Sequence, residues 1–230
     1  MDLVTTTLDD GVATLTMDDG KVNVLSLPMQ EQLHAGLDRA EAERAVVLLT
    51  GRPGVFSAGF DLPTLQGGGP DGAAMLRGGF ELSERLLGFP TPVVIACPGH
   101  AIAMGLFLLL SGDLRIGAEG PFKLVANEVA IGLTLPLAAV EVCRQRLSPA
   151  AFNRTTVLSE VYAPDPDAVA GGLLDRVVPA DDLAAVAHEA AIGLAALDLD
   201  AHAATKQRTR AHALTELRGA IDAELLVDSL

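Results

Sequence analysis

The spacing of apolar residues alternates along the chain between a period of about two and a period of about 3.6, and each change marks a predicted element. Apolar and polar residues alternate over Val12–Met17, which is typical of a half-buried strand. Helical spacing follows over residues 27–43, where Pro28 suits a first turn. Short apolar runs at Val46–Thr50 and Val93–Cys97 predict buried strands. This order of strand, helix and strand predicts parallel βαβ units.

The same two periods predict the rest of the chain. A glycine-rich stretch at residues 65–72 is predicted to be mobile, and an amphipathic helix follows it over residues 75–87. The second half is predicted to be mainly helical. Strands are predicted there at residues 114–116 and 174–178, and helices at residues 138–147, 150–158, 183–197 and 203–230.

Composition narrows the classes of function. Half of the 230 residues are apolar, so the chain can bury a sizeable core. The net charge of −14 argues against a general nucleic-acid binder and against adsorption to anionic membranes. An acidic chain of this kind holds a polyanionic ligand only through a local basic patch. We therefore expect neither a nucleic-acid partner nor a membrane partner.

The number of cysteines, the N-terminal residues and the length of the apolar stretches indicate the cellular compartment. Cys97 and Cys143 are too few for a disulfide framework, which indicates a reducing environment. Residues 1–10 are polar and lack the basic start of a signal peptide. The longest apolar stretch, residues 101–110, is about half of the roughly 20 residues that span a membrane. The sequence shows no metal-ligand cluster of Cys and His. These features predict a cytoplasmic protein without a metal site.

Two glycine-containing turns carry the first candidate chemistry. Each follows a predicted buried strand, in V-F-S-A-G-F-D-L at residues 55–62 and in P-G-H-A-I-A-M-G at residues 98–105. Such turns can leave backbone N–H groups unpaired and directed into a cleft. A helix predicted to begin near Met104 would add the positive end of its dipole. Two such N–H groups make an oxyanion hole, which stabilises negative charge on a thioester oxygen. The alternative is that the glycines only permit tight turns and close packing.

Glu128 is the leading candidate for an acid or base. The residues that follow it are apolar, and a carboxylate in apolar surroundings has a raised pKa that suits proton transfer near neutral pH. The alternative is an ordinary surface glutamate before a strand or helix. Asp61 is expected to cap a helix and Asp113 to be structural. His100 is either a polar contact or second acid beside the turns, or a packed and hydrogen-bonded residue.

Three blocks of the sequence resemble the crotonase superfamily, also called the enoyl-CoA hydratase/isomerase family. They are F-S-A-G-x-D-L, then G-x-A-x-x-x-G with Asp113 eight residues beyond, then N-E-V-A-I-G-L. The likeness runs from about residue 12 to about residue 206. It implies an α/β fold with a crotonase-like spiral of ββα turns over residues 1–195. A helical C-terminal region, residues 196–230, would pack in trimers and is short compared with many members.

The resemblance also implies roles for individual residues. The backbone N–H groups of Phe60 and Met104 would form the oxyanion hole. The family prefers glycine at the second position, so we expect the Met104 side chain to narrow the acyl pocket. Glu128 would move protons at the α or γ carbon of the substrate. Hydratases of the family carry a second glutamate where this chain has Phe107, so the single glutamate is similar to the Δ3,Δ2-enoyl-CoA isomerases. Phe107 and His100 would lie in the substrate pocket.

Coenzyme A contacts are assigned by the same resemblance. Lys21, the backbone from Val22 to Val24, and Ala58 match the first CoA-binding segments of the family. Lys206 lies in A-A-T-K, which resembles the position where the family places a lysine near the CoA phosphates, often from a neighbouring subunit. Both lysines could instead be solvated surface charges. Coenzyme A would be part of the substrate, so no separate cofactor is expected. Further copies of the chain would be the protein partners, in a homotrimer or a hexamer.

Three functions follow from these assignments. The first is an enzyme of fatty acid metabolism that acts on enoyl-CoA thioesters, with isomerisation favoured over hydration because one carboxylate is visible. A hydratase that uses another acid or base is an alternative within this class. The second is a non-catalytic acyl-CoA binder. The third and weakest is a thioester hydrolase or decarboxylase of the same superfamily.

Overall fold

Strands and helices alternate through the computed structural model, which describes residues 2–224. The strands are β1 (Val4–Asp9), β2 (Val12–Met17), β3 (Val46–Thr50), β4 (Gly54–Ser57), β5 (Val93–Cys97), β6 (Gly99–Ile102), β7 (Leu114–Ala118), β8 (Leu124–Val125) and β9 (Arg176–Val178). The helices are α1 (Leu27–Ala42), α2 (Leu62–Gly67), α3 (Gly69–Gly88), α4 (Met104–Leu110), α5 (Leu137–Arg146), α6 (Pro149–Leu158), α7 (Pro166–Gly171), α8 (Leu183–Ala195) and α9 (Leu199–Glu224).

The strands form two sheets. The larger has the order β1-β2-β3-β5-β7-β9, in which β1 pairs antiparallel with β2 and the other neighbours are parallel. The smaller is parallel and has the order β4-β6-β8. The parallel pairing of β2, β3 and β5 confirms the βαβ units that the apolar spacing predicts. It also brings the ends of β4 and β6 side by side.

The larger sheet separates two apolar clusters, because neighbouring residues of a strand face opposite sides. One side of β2 and β3 packs with α1, α3 and α4, where Phe80 and Phe107 lie in the main core. The other side packs against α8 through a smaller cluster that includes Val12 and Ala187. The Glu128 cavity described below is lined by residues of α3 and α4, on the side of the main core.

Most predicted elements are present within four residues of their predicted ends. Residues 65–72 are almost entirely helical, since α2 ends at Gly67 and α3 begins at Gly69, six residues before its predicted start. The mobility predicted for this stretch stays a prediction. Gly68, with φ 63°, makes the turn between these helices. The strands β1, β6 and β8 and the helix α7 were not predicted from the spacing.

The C-terminal helix folds back onto the core. α9 packs against α3 and α5. Residue 195, where we predict a domain boundary, is the last residue of α8, and the boundary itself stays a prediction. The helix predicted over residues 203–230 begins earlier, at Leu199, and its last six residues lie outside the described part of the chain. No helix within residues 2–224 is both long and apolar enough to cross a bilayer.

Candidate active site

The two predicted turns meet at the ends of β4 and β6. A Cβ added at Gly59 would lie 2.9 Å from the Ile102 carbonyl oxygen and 3.2 Å from the Met104 nitrogen. Gly59 also has φ 90°, in the region that favours glycine. The Ser57 hydroxyl fixes the first turn, since it donates to the Asn23 carbonyl (2.7 Å) and accepts from the Gly59 N–H (3.1 Å). The glycine therefore brings the backbone before Phe60 against the backbone before Met104.

The backbone N–H groups of Phe60 and Met104 donate no hydrogen bond to any residue in the described range. Met104 is the first residue of α4, so its N–H has no acceptor within the helix. Ala103 precedes it with φ 51° and ψ −123°, a strained conformation for a residue with a side chain. Two neighbouring unpaired N–H groups, held by a glycine contact and a strained alanine, have the form of an oxyanion hole.

A cavity of about 320 Å³ lies beside these turns. Ala58, Phe60 and Ala103 form the part of its wall that belongs to the two turns. The rest of the wall is mostly apolar and comes from α2, α3, α4, β6 and the segment before α5: Leu62, Leu65, Leu76, Phe80, Phe107, Ile102, Ile131, Leu133 and Pro136. Asn127, Glu128 and Thr134 are the polar side chains among the described lining residues.

Glu128 lies in this wall, immediately before a 3-10 turn at Val129–Ile131. Its Oε2 is buried and accepts no hydrogen bond from the described residues. Burial raises the pKa of the Glu128 carboxyl. The apolar residues that follow Glu128 in the sequence are not what buries it, since Val129 and Ile131 are about half exposed. The burial comes from the other residues of the cavity wall and from the second half of α5, where burial and then the nearby Glu128 charge raise the pKa of the Cys143 thiol.

Phe107 lies in the same cavity as Glu128. Its ring is 1% exposed and stacks on Phe80, with 6.0 Å between ring centroids. Phe60 meets Phe80 edge to face at 6.3 Å. Glu128 is the single carboxylate among the described residues of the cavity wall. The cavity thus combines one carboxylate with an aromatic wall at the position where hydratases of the resembled family would carry a second glutamate.

The expected effect of the Met104 side chain is wrong. This side chain is fully buried and is absent from the described lining of the cavity. It points toward α3, where a Cβ added at Gly79 would lie 3.5 Å from Met104 Cγ and 2.5 Å from the Phe60 ring. Glycine at position 79 therefore makes room for both side chains, and Met104 leaves the acyl pocket unobstructed.

His100 does not reach the cavity, which corrects its assignment to the substrate pocket. Its Nδ1 accepts the Lys123 backbone N–H at 3.0 Å, and its ring meets Phe122 edge to face at 5.5 Å. The packed and hydrogen-bonded interpretation of His100 therefore agrees with the structure. Asp61 caps α2, as expected, by accepting the Thr64 N–H at 3.1 Å.

The first assigned CoA segment runs along the edge of the site. The Ala58 N–H donates to the Val22 carbonyl at 2.9 Å, and Val24 forms a bridge with Gly59. The Asp19 carboxylate accepts the backbone N–H groups of Lys21 and Val24. Lys21 and Val22 are exposed beside this edge, so the segment is placed where a ligand could reach it. Its contact with coenzyme A stays a prediction.

The structure places Lys206 in a buried ion pair, which the sequence did not predict. Its ammonium is buried in an ion pair with Asp113 at 2.7 Å, and Arg210 pairs with the same carboxylate at 2.7 Å. Burial, the largest cause, lowers the pKa of Lys206 from 10.5 to about 8. Lys206 lies outside the Glu128 cavity and lines a different one. It ties α9 to the core and is not a solvated charge, and its contact with the CoA phosphates of a neighbouring subunit stays a prediction. Asp113 is structural, as expected.

Asn127 and the strain at Ala103 are the site features that the sequence did not reveal. The Asn127 Oδ1 is buried and accepts no hydrogen bond from the described residues, beside Glu128. Its place in N-E-V-A-I-G-L was the available signal. Nothing in the residue type of Ala103 indicates a positive φ. Within residues 2–224, no group of three or more His, Cys, Asp or Glu side chains could hold a metal ion.

Comparison with known proteins agrees with this geometry. The family model described as Enoyl-CoA hydratase/isomerase matches residues 7–228. Mitochondrial enoyl-CoA delta isomerase 1 of Homo sapiens is 30% identical over 220 residues, covering 94% of this chain and 72% of that protein. The crystal structure of the enoyl-CoA hydratase EchA3 from Mycobacterium ulcerans Agy99 matches with a TM-score of 0.94 and 45% identity over 99% of both chains. The apo structure of an Mtb enoyl-CoA isomerase matches with a TM-score of 0.92 and 46% sequence identity over 96% of both chains.

The α/β core thus carries two facing turns with unpaired N–H groups, and the cavity beside them holds one carboxylate whose Oε2 is buried. The chain belongs to the enoyl-CoA hydratase/isomerase family, the crotonase superfamily. Family and fold class are as the three sequence blocks predicted. The similar proteins include both hydratases and isomerases, so the family alone does not choose between these two reactions.

Proposed function

We propose that this protein is an enzyme of fatty acid metabolism that moves a double bond in enoyl-CoA thioesters between the 3 and 2 positions. The observation that carries the proposal is a single carboxylate, Glu128, whose Oε2 is buried in a mostly apolar cavity beside two unpaired backbone N–H groups. Proton transfer from one carbon to another needs one such group.

The reaction begins at the thioester oxygen. This oxygen accepts hydrogen bonds from the Phe60 and Met104 N–H groups, which stabilise the negative charge that develops there. The Glu128 carboxylate removes a proton from the α carbon of a 3-enoyl thioester, and the electrons of that C–H bond delocalise into a dienolate. The protonated Glu128 then returns the proton to the γ carbon. The double bond ends between the α and β carbons, and no water enters or leaves.

The raised pKa of Glu128 suits both halves of this cycle. A carboxylate that is poorly solvated is a stronger base, and its protonated form is readily formed in the same apolar wall. Lys21, the backbone from Val22 to Val24, and Ala58 would hold the coenzyme A part at the edge of the cavity. Lys206 pairs with Asp113 and lies outside the Glu128 cavity of its own chain, so we assign it no contact there.

Hydration is the second candidate, and Asn127 is the observation that favours it. Water addition needs a second polar group to position the water, and Phe107 cannot supply one. The Asn127 amide, whose oxygen is buried without a described donor, lies in the same wall as Glu128 and could hold a water there. We rank this reaction second because an amide cannot take up or release a proton as a carboxylate does.

The test is a comparison of two substrates in matched variants. Purified wild type should convert 3-enoyl-CoA to 2-enoyl-CoA, and Glu128→Gln should lose this activity by at least about 100-fold. Glu189→Gln, an exposed glutamate on α8, is the control and should keep full activity. Fast hydration of 2-enoyl-CoA that survives in Glu128→Gln would contradict both the reaction and the role of Glu128. Tight acyl-CoA binding with no turnover of either substrate would favour a non-catalytic binder.

We further propose that the protein works in the cytoplasm as a homotrimer or a hexamer. The family likeness supports this assembly, and closed symmetric homo-oligomers are the common case. Light scattering at micromolar concentration is the measurement, and a stable monomer would contradict the proposal.

A further inference from the structure

A second and larger cavity, of about 890 Å³, lies on the other side of the six-stranded sheet. Leu48 and Ala96 belong both to its wall and to the apolar cluster under α8. The Glu128 cavity lies on the opposite side, with Phe80 and Phe107 of the main core. The two cavities share no lining residue, so the sheet separates them.

The side chains on this face of the sheet change from apolar to hydroxyl-bearing beyond the part that α8 covers. Along this face, β2 presents Val12, then Thr14 and Thr16, and β3 ends its face with Thr50. Thr16 and Thr50 are register partners, so their side chains lie next to each other. The Thr14 and Thr16 hydroxyls make no hydrogen bond to the described residues, and the Thr50 hydroxyl has only a 3.5 Å contact with the Gly51 carbonyl. A row of three hydroxyls is therefore available along one edge of the cavity.

The remaining walls are mostly apolar, and small residues of α8 leave them open. Phe122 and Leu183 lie in these walls, and Ala184 and Ala187 line the cavity from α8. The described lining residues include no lysine or arginine, whereas Asp181 contributes a carboxylate and His188 an imidazole. A phosphate or carboxylate ligand would meet no lysine or arginine here and would be repelled by Asp181. The cavity is suited to an uncharged molecule.

Size and position both point to ligand binding. Small-molecule sites are apolar clefts of about 300–1,000 Å³ with a few placed polar groups. In open α/β sheets, ligands bind beyond the carboxyl ends of parallel strands, which is where Thr16, Thr50 and Ala118 lie. We propose that this cavity is a second ligand site, for an uncharged molecule with an apolar body and hydrogen-bonding atoms along one edge.

The test uses N-phenyl-1-naphthylamine, a neutral apolar fluorophore with one N–H donor, titrated into the full-length protein. Ala184→Trp places a large side chain in the cavity from an exposed helix position and should weaken binding by more than about tenfold. Ile192→Trp, also on α8 and 39% exposed but outside the cavity wall, is the matched control and should bind like wild type. Thr16→Val removes one hydroxyl at nearly constant shape and should weaken binding about two- to tenfold.

Any of the following results would contradict the proposal. If wild type does not bind the probe, or if Ala184→Trp and Ile192→Trp bind it equally well, the cavity is not a ligand site. If Ala184→Trp instead breaks the oligomer in light scattering, a second copy of the chain fills the cavity. Unchanged affinity in Thr16→Val would contradict the assigned class of ligand. None of these results depends on the isomerase activity, because the Glu128 cavity is unchanged in all three variants.

Discussion

Replacement of Gly59 by alanine separates the close contact at the oxyanion hole from ordinary backbone strain. Gly59 and Gly54 both have positive φ, 90° and 82°. A methyl group at Gly54 would meet nothing within 4 Å, whereas one at Gly59 would lie 2.9 Å from the Ile102 oxygen and 3.2 Å from the Met104 nitrogen. Alanine in a left-handed conformation costs roughly 1–2 kcal/mol at either position. Gly59→Ala must in addition push the Phe60 and Met104 N–H groups apart.

Two assays then give different patterns for the two variants. Thermal unfolding should show a Tm lower by roughly 2–8 °C in Gly54→Ala and by at least as much in Gly59→Ala, because 1 kcal/mol shifts Tm by about 2–4 °C in a chain of this size. The rate of 3-enoyl-CoA isomerisation should fall about 100- to 1,000-fold in Gly59→Ala, as for loss of one oxyanion donor, and stay near wild type in Gly54→Ala. A folded Gly59→Ala protein with the activity of Gly54→Ala would refute the reasoning.

Three further predictions concern single side chains and one backbone donor. Asp113→Asn leaves the buried cations of Lys206 and Arg210 without their carboxylate, so urea titration should show a free energy of unfolding lower by about 3–5 kcal/mol. The control Asp200→Asn, at an exposed ion pair, should lower it by less than about 1 kcal/mol. Burial raises the pKa of Glu128 in the folded protein above its unfolded value of 4.5, so stability should be lost as pH rises from 4.5 through the folded-state pKa. Glu128→Gln should remove this loss, and equal slopes of stability against pH for variant and wild type would contradict it. Met104→Pro removes one N–H donor at the first residue of α4, so isomerisation should fall about 100- to 1,000-fold in a folded protein; full activity would place the hole elsewhere.

Local patterns were sufficient for much of the fold. The 3.6-residue spacing predicted α1 because its buried residues, such as Leu33 and Leu37, form one apolar stripe. The strand β1 was missed because its run of threonines lacks a buried face, and its residues alternate only between half-buried and exposed. β8 has two residues, too few for any period to appear.

The parts of the site that depend on distant contacts were not predictable in the same way. Sequence order identified Gly59 and Met104 as members of two turns, but their approach depends on the pairing of β4 with β6. The burial of Lys206 depends on α9 folding back to Asp113, 93 residues earlier in the chain. A lysine on a mixed-charge helix looks solvated from local sequence alone.

The central claim is that the thioester oxygen lies between the Phe60 and Met104 N–H groups with its α carbon facing Glu128. The most direct measurement is a crystal structure of the Glu128→Gln variant with a 3-enoyl-CoA bound, since this variant should hold the substrate without converting it. The account predicts that the thioester oxygen lies about 2.7–3.1 Å from both nitrogens, with the α and γ carbons beside the replaced side chain. A thioester oxygen bound away from these two N–H groups, or an acyl chain outside the Glu128 cavity, would contradict it.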